Sequence, residues 1–204
     1  MRATAFIIGP RDGSGTGLMD LCLGIGFESV RRFSQIEEAE QQVAKTPVCF
    51  FVFTADVGTE KLGSVSKAIR FSRNRQVRYA PMVCFAESPG KQLVALCIQA
   101  GFDDILIPPF SVKRVGERLK AMLEQPMTFY ETPDYIGPDR RKRAGRKTPP
   151  SSALEKGNEY RQIDFVRKTG EGISILREDF RRTPSLRAAE RDGSAFFSRA
   201  AASA

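Results

Sequence analysis

Three short runs of uninterrupted apolar residues constrain this chain most: residues 3–8 (ATAFII), 48–53 (VCFFVF) and 81–86 (PMVCFA). A short apolar run without polar alternation reads as a strand covered on both faces. Such strands belong to parallel sheets, whose crossover connections lay helices on either side. The intervening sequence supplies helical segments. Residues 18–25 are apolar and stop at Gly26, after a glycine-rich loop over 12–17. Ser34 can cap the next helix, with Glu37 completing a capping box, and that helix runs through 38–44. Residues 64–73 and 89–100 give two more helices, the second ending at Gly101. Ser111 caps a last one, with Val112, Val115, Leu119, Met122 and Leu123 near helical spacing. With further strands at 27–33 and 105–107, residues 1–125 are expected to form an α/β domain, a doubly wound five-stranded parallel sheet. The ligand crevice of such a sheet lies at the carboxyl ends of its strands, where the strand order reverses.

After Gln125 the pattern dissolves. Pro126, Pro133, Pro138, Pro149 and Pro150 interrupt any periodicity, and the apolar content shrinks to islands at 163–166 and 172–176. Charge shifts as well: residues 1–125 hold 16 Lys and Arg against 13 Asp and Glu, whereas 126–204 hold 16 against 11 in far fewer positions. Residues 126–204 are therefore expected to be a basic, Pro- and Arg-rich, largely disordered tail.

The chain contains no histidine, which excludes His-based triads, general bases and metal ligands. Cys22, Cys49, Cys84 and Cys97 sit in apolar surroundings without CxxC spacing, the pattern of buried reduced thiols rather than a disulfide framework or zinc site. No apolar run approaches the roughly 18–20 residues of a membrane span, and the N-terminus is too soon interrupted for a signal peptide, so a cytoplasmic protein is expected. No cofactor or metal is expected.

Three segments carry a resemblance. Residues 18–30 end in GFESV, residues 81–88 read PMVCFAES, and residues 99–110 read QAGFDDILIPPF. In this order and spacing, residues 3–124 resemble the receiver domain of two-component response regulators, a flavodoxin-like fold shared with the chemotaxis response regulator. In that family an acid pair after strand 1 holds Mg²⁺, and an aspartate after strand 3 accepts a phosphoryl group. A Thr or Ser follows strand 4, and a Lys precedes the Pro-Phe after strand 5. Carried over by position, the acid pair falls on Gly9 and Pro10, the acceptor on Phe53 or Thr54, the hydroxyl on Ala86 and the lysine on Pro108. The resemblance thus implies a degenerate receiver without phosphotransfer chemistry, since magnesium needs hard oxygen ligands and the lysine balances phosphoryl charge. Asp12 and Asp56 lie two or three residues beyond the expected positions and offer a displaced acidic pocket. Residues 13–17 (GSGTG) offer a phosphate-binding turn, without the Lys-Ser/Thr of a P-loop.

Tyr135, Gly137, Pro138, Asp139, Arg140 and Arg141 form YIGPDRR, similar to a YxGPDRR element found in bacterial regulatory proteins, followed by KRAGRK. An aromatic anchor beside guanidinium forks suits docking onto a protein or an anion. The leading expectation is a non-enzymatic signalling adaptor acting through protein–protein contacts. The resemblance points to a face made by helix 4, strand 5 and helix 5 for signalling partners or a homodimer. The alternative is a nucleic-acid-associated regulator binding through the basic tail, which could equally meet an acidic surface.

Overall fold

All six residues of β3 (Cys49–Thr54) are buried, as a strand covered on both faces requires. The structure, a computed structural model, describes residues 1–109, 111–140 and 159–182. β3 lies at the centre of a five-stranded parallel sheet with β1 (Thr4–Ile8), β2 (Ser29–Arg32), β4 (Met82–Phe85) and β5 (Asp104–Leu106), in the order β2-β1-β3-β4-β5. This is the doubly wound order of the flavodoxin-like fold, as expected.

Alternate side chains of the central strands feed two separate cores. Ala5, Ile7, Phe50 and Val52 meet Leu18 and Cys22 of α1 (Gly13–Ile25) and Val115 and Leu119 of α6 (Val112–Lys120). Phe6, Ile8, Phe51 and Phe53 face the other way. They join Ala39 of α2 (Ile36–Gln42), Leu62 and Ile69 of α3 (Thr59–Arg70), Val77 of α4 (Arg75–Arg78) and Cys97 of α5 (Lys91–Gln99).

Several boundaries differ from the sequence expectation. α1 begins at Gly13, so the glycine-rich stretch is helix, because the Asp12 side chain caps it by accepting from the backbone N–H groups of Ser14 and Gly15. Ser34 is not a cap: α2 is preceded by Gln35, and the Ser34 hydroxyl donates to Glu38. α3 begins at Thr59, five residues before the helix expected over 64–73.

The larger correction concerns the tail. β6 (Pro126–Glu131), β7 (Ile136–Pro138), β8 (Glu159–Lys168) and β9 (Gly172–Arg182) form an antiparallel sheet in the order β7-β6-β8-β9. The expectation of disorder therefore does not hold for these strands; residues 141–158 and 183–204, with most of the basic run, lie outside the described residues. The apolar islands are too small to fold alone, but they gain a partner surface. Phe129, Ile163 and Phe165 close over Tyr79 and Ile136, with the Tyr79 and Phe165 rings 5.0 Å apart. Tyr79 lies just before β4, so the added sheet covers the amino ends of the parallel strands.

The junction is polar at its centre. Arg70, Asp103 and Arg167 have side chains only 1%, 2% and 0% exposed, and Asp103 accepts from Arg70 Nη2 at 2.9 Å and from Arg167 Nη2 at 2.8 Å. Arg70 also donates to the carbonyls of Gly101, Arg78 and Ala80, and Arg167 to that of Tyr79. Burial pulls Arg70 down to about 10, against the opposing pull of Asp103. Both guanidiniums also lie over the Phe129 ring, at 5.2 and 5.5 Å from its centroid.

Removing Asp103 would leave two buried cations without a counter-ion. Asp103→Ala is expected to lower unfolding free energy in urea by about 3–5 kcal/mol. Arg167→Met, which leaves Asp103 one guanidinium, should cost measurably less. Burial pushes the thiols of Cys22 and Cys49 up to about 12. At pH 8 both should stay unreactive toward a disulfide reagent until the chain unfolds, and a urea titration followed by thiol release should track the circular dichroism transition.

Candidate functional site

The crevice at the carboxyl ends of the parallel strands is where such a sheet binds ligands. The loop after β1 brings Gly9 against Thr54: a Cβ on Gly9 would lie 3.1 Å from Thr54 Oγ1 and 3.3 Å from its Cγ2. An acidic side chain at position 9 would press on the end of β3. The Pro10 carbonyl accepts from Arg32 Nη1 at 2.9 Å, and a Cβ on Gly15 would sit 2.2 Å from that same oxygen, so glycine is required there.

Asp12 is committed to its cap, accepting from the Ser14 hydroxyl at 2.8 Å and the Ser14 N–H at 3.0 Å. The Ser14 hydroxyl, followed by the backbone bonds, holds its carboxyl below the usual range despite some desolvation. The first N–H groups of α1 are therefore taken by a side chain of the protein, leaving the GSGTG stretch without the open turn of a phosphate loop.

Thr54 and Ala86 line a cleft of about 220 Å³ together with Leu18, Asp56, Phe85 and Glu87. Asp56 is exposed on the single 3-10 turn after β3, and Asp12 is not among the lining residues, so the two displaced carboxylates do not share this pocket. The neighbouring acceptor position, Phe53, is core, its ring 4.8 Å from that of Phe102. The Thr54 hydroxyl is buried and finds no hydrogen-bond partner among the described residues. Pro108 is exposed and joined to Pro109 by a cis peptide bond. No group of three acidic or Cys side chains able to hold a metal occurs among the described residues.

The second candidate, the YIGPDRR motif, lies at the opposite end of the sheet. Ile136, Gly137 and Pro138 form β7, paired with Glu131, Tyr130 and Phe129 of β6. Tyr135 is held by Thr132, whose hydroxyl accepts from the Tyr135 N–H at 3.0 Å, and its phenol donates to the Pro138 carbonyl at 3.4 Å. Burial raises the Tyr135 phenol above its ordinary value. The Asp139 N–H donates to Thr128 O at 2.8 Å, and the Asp139 carboxylate accepts from the Tyr130 hydroxyl at 3.3 Å. Arg140 donates to the Phe102 carbonyl, while Arg141 lies outside the described residues.

The motif thus meets the GFDD turn of its own chain. A Cβ on Gly101, which has φ +74°, would lie 2.1 Å from the Ile136 carbonyl oxygen, and one on Gly137 would lie 2.7 Å from Gly101 Cα. The sequence did not disclose this contact, because the approach of two glycines 36 positions apart leaves no periodic signal.

No protein-family model and no curated protein matches the chain. Solved structures do. A CheY-like protein, TadZ, from Pseudomonas aeruginosa aligns over 58% of this chain and 98% of its own, with 13% identity and TM-score 0.46. The receiver domain of a sensor histidine kinase from the same organism, with magnesium in its active-site cleft, aligns over 58% and 94%, with 15% identity and TM-score 0.45. A response regulator from Thermotoga maritima aligns over 59% and 97%, with 16% identity and TM-score 0.44. The strand order and two-faced packing carry the fold assignment on their own.

Gly101→Ala combines a left-handed backbone with a carbonyl collision and should destabilise by more than about 2 kcal/mol in urea unfolding. Gly170→Ala, with φ +94° but open space around it, is the control and should cost no more than about 1–2 kcal/mol.

Proposed function

We propose that the chain is a non-catalytic signalling protein: a receiver-like domain without phosphotransfer that acts as a protein-interaction surface, with its C-terminal sheet as an integral brace. The observation that carries this reading is the set of side chains at the carboxyl ends of the strands. Gly9, Pro10, Thr54, Ala86 and Pro108 offer neither a carboxylate pair for magnesium nor a cation for a phosphoryl group. Asp56 remains as a lone exposed carboxylate beside a small cleft.

The face made by α5, β5 and α6 is the interaction surface favoured here. It exposes Ile98, Ile107 and Val112, and its lower border is fixed by the contact between Gly101 and Gly137. Partners are other signalling proteins, and no helix among the described residues is long and apolar enough to cross a membrane. The nucleic-acid reading depends on residues 141–147, which lie outside the described residues, and no described feature favours it.

Acetyl phosphate with Mg²⁺, followed by intact-mass measurement, tests the proposal. The expected result is an unmodified chain. An adduct of about 80 Da, one phosphoryl group, that disappears in Asp56→Asn would overturn the reading.

A further inference from the structure

A small notch lies where β5 turns into α6. Its volume is about 160 Å³, its walls include Ile107, Pro108, Pro109 and Val115, and Arg114 and Arg118 also line it. No acidic side chain does. Ile107 is 50% exposed, and Val112 at the start of α6 is 46% exposed. Arg118 already pairs with Asp104 at 2.6 Å, whereas Arg114 is exposed and has no acidic partner among the described residues. The charges of α6 have the same bias: Lys113, Arg114, Arg118 and Lys120 stand against Glu117 alone.

Resting on the reading of this face as the interaction surface, we propose that its partner is an acidic protein segment, in which one aliphatic side chain fills the notch and a neighbouring Asp or Glu pairs with Arg114. A guanidinium fork takes a carboxylate in two parallel hydrogen bonds, and an apolar hollow beside it removes one side chain from water. The notch admits a side chain of about leucine size, as an anchor rather than a groove for a whole helix. The cations of α6 raise the rate of encounter, and the notch selects the segment that stays.

Charge argues against occupants closer to hand. Of the chain's own residues outside those described, 141–158 hold six Lys and Arg against one acid, and 183–204 hold three against two, so neither segment is acidic. A second copy would bring a net charge of +8 and, across a two-fold axis, the cations of α6 against themselves. A lipid surface or a nucleic acid would meet the charges but not the hollow. A bilayer receives protruding apolar groups, and a phosphate backbone presents none to enter a concave site.

Fluorescence anisotropy with the full chain tests the inference. The probe is a labelled peptide of about ten residues, one leucine flanked on both sides by Asp and Glu. It should bind with a Kd below about 100 µM at low salt, and more weakly as salt rises. Serine in place of the leucine, or Arg114→Glu or Ile107→Asp in the chain, should each weaken binding at least about fivefold. Both chain positions are exposed, so the circular dichroism of the variants should match the wild type. No binding, or binding indifferent to the leucine or to both chain variants, would overturn the inference. So would duplex DNA or phosphatidylserine vesicles bound through Arg114 and Ile107 without competition from the peptide. Failure of the underlying reading looks different, as a phosphoryl adduct formed from acetyl phosphate; an unmodified chain that ignores the peptide loses only the acidic partner.

Discussion

One carboxylate holds this molecule together where its two sheets meet. Asp103 stands just before β5 and receives a guanidinium from α3 and another from β8, at sequence separations of 33 and 64 positions. Its Oδ2 also accepts from the Met82 N–H, at the first residue of β4. Burying two cations with one anion is costly, and ion pairing alone seldom repays the desolvation. The compensation here comes from the planar guanidinium fork, which lets each arginine satisfy backbone carbonyls as well as the carboxylate while lying over aromatic rings. Those carbonyls, of Arg78, Tyr79, Ala80 and Gly101, belong to the turns entering β4 and β5. The second sheet therefore completes the first: without β8, Asp103 would keep one guanidinium and Tyr79 would lose its cover.

The parallel sheet uses its two ends differently. Its carboxyl ends, where the fold ordinarily collects chemistry, are built for close contact, with Gly9 against Thr54 and Gly15 against the Pro10 carbonyl. Its amino ends carry the ion triad and the rim around Glu131, which accepts from Tyr79 and pairs with Arg78 and Arg161. The buried charged side chains among the described residues, Arg70, Asp103 and Arg167, lie at the junction rather than at the crevice.

The legible and illegible parts of the sequence divide along the same line. β1, β3 and β4 could be read because strands buried on both faces write themselves as continuous apolar runs. α1 was partly hidden, since glycines suggested a loop and the capping role of Asp12 depends on geometry that its neighbours alone do not reveal. β8 was hidden for a stronger reason. Its inward face is Ile163, Phe165 and Arg167, and an arginine breaks the alternation that would mark a strand, because charged residues are almost never fully buried unless paired. Its partner, Asp103, falls in the sequence between the helix end at Gly101 and the strand at 105–107, with no pattern that marks it as buried. Neither residue announces the other, and neither does Gly101 announce Gly137.

The same contacts bear on how the α5–β5–α6 face can behave. A receiver-type switch needs an element with two arrangements that both sites can bias. Here the turn between α5 and β5 is clamped. Gly101 abuts β7, its carbonyl accepts twice from Arg70, the Phe102 carbonyl accepts from Arg140, and Asp103 is fixed by two arginines. Shifting α5 against β5 would break buried charge-assisted bonds together, each costlier to lose than a neutral bond in water. A face braced in this way favours a single arrangement, and reactive groups at the far end of the strands would have little to move.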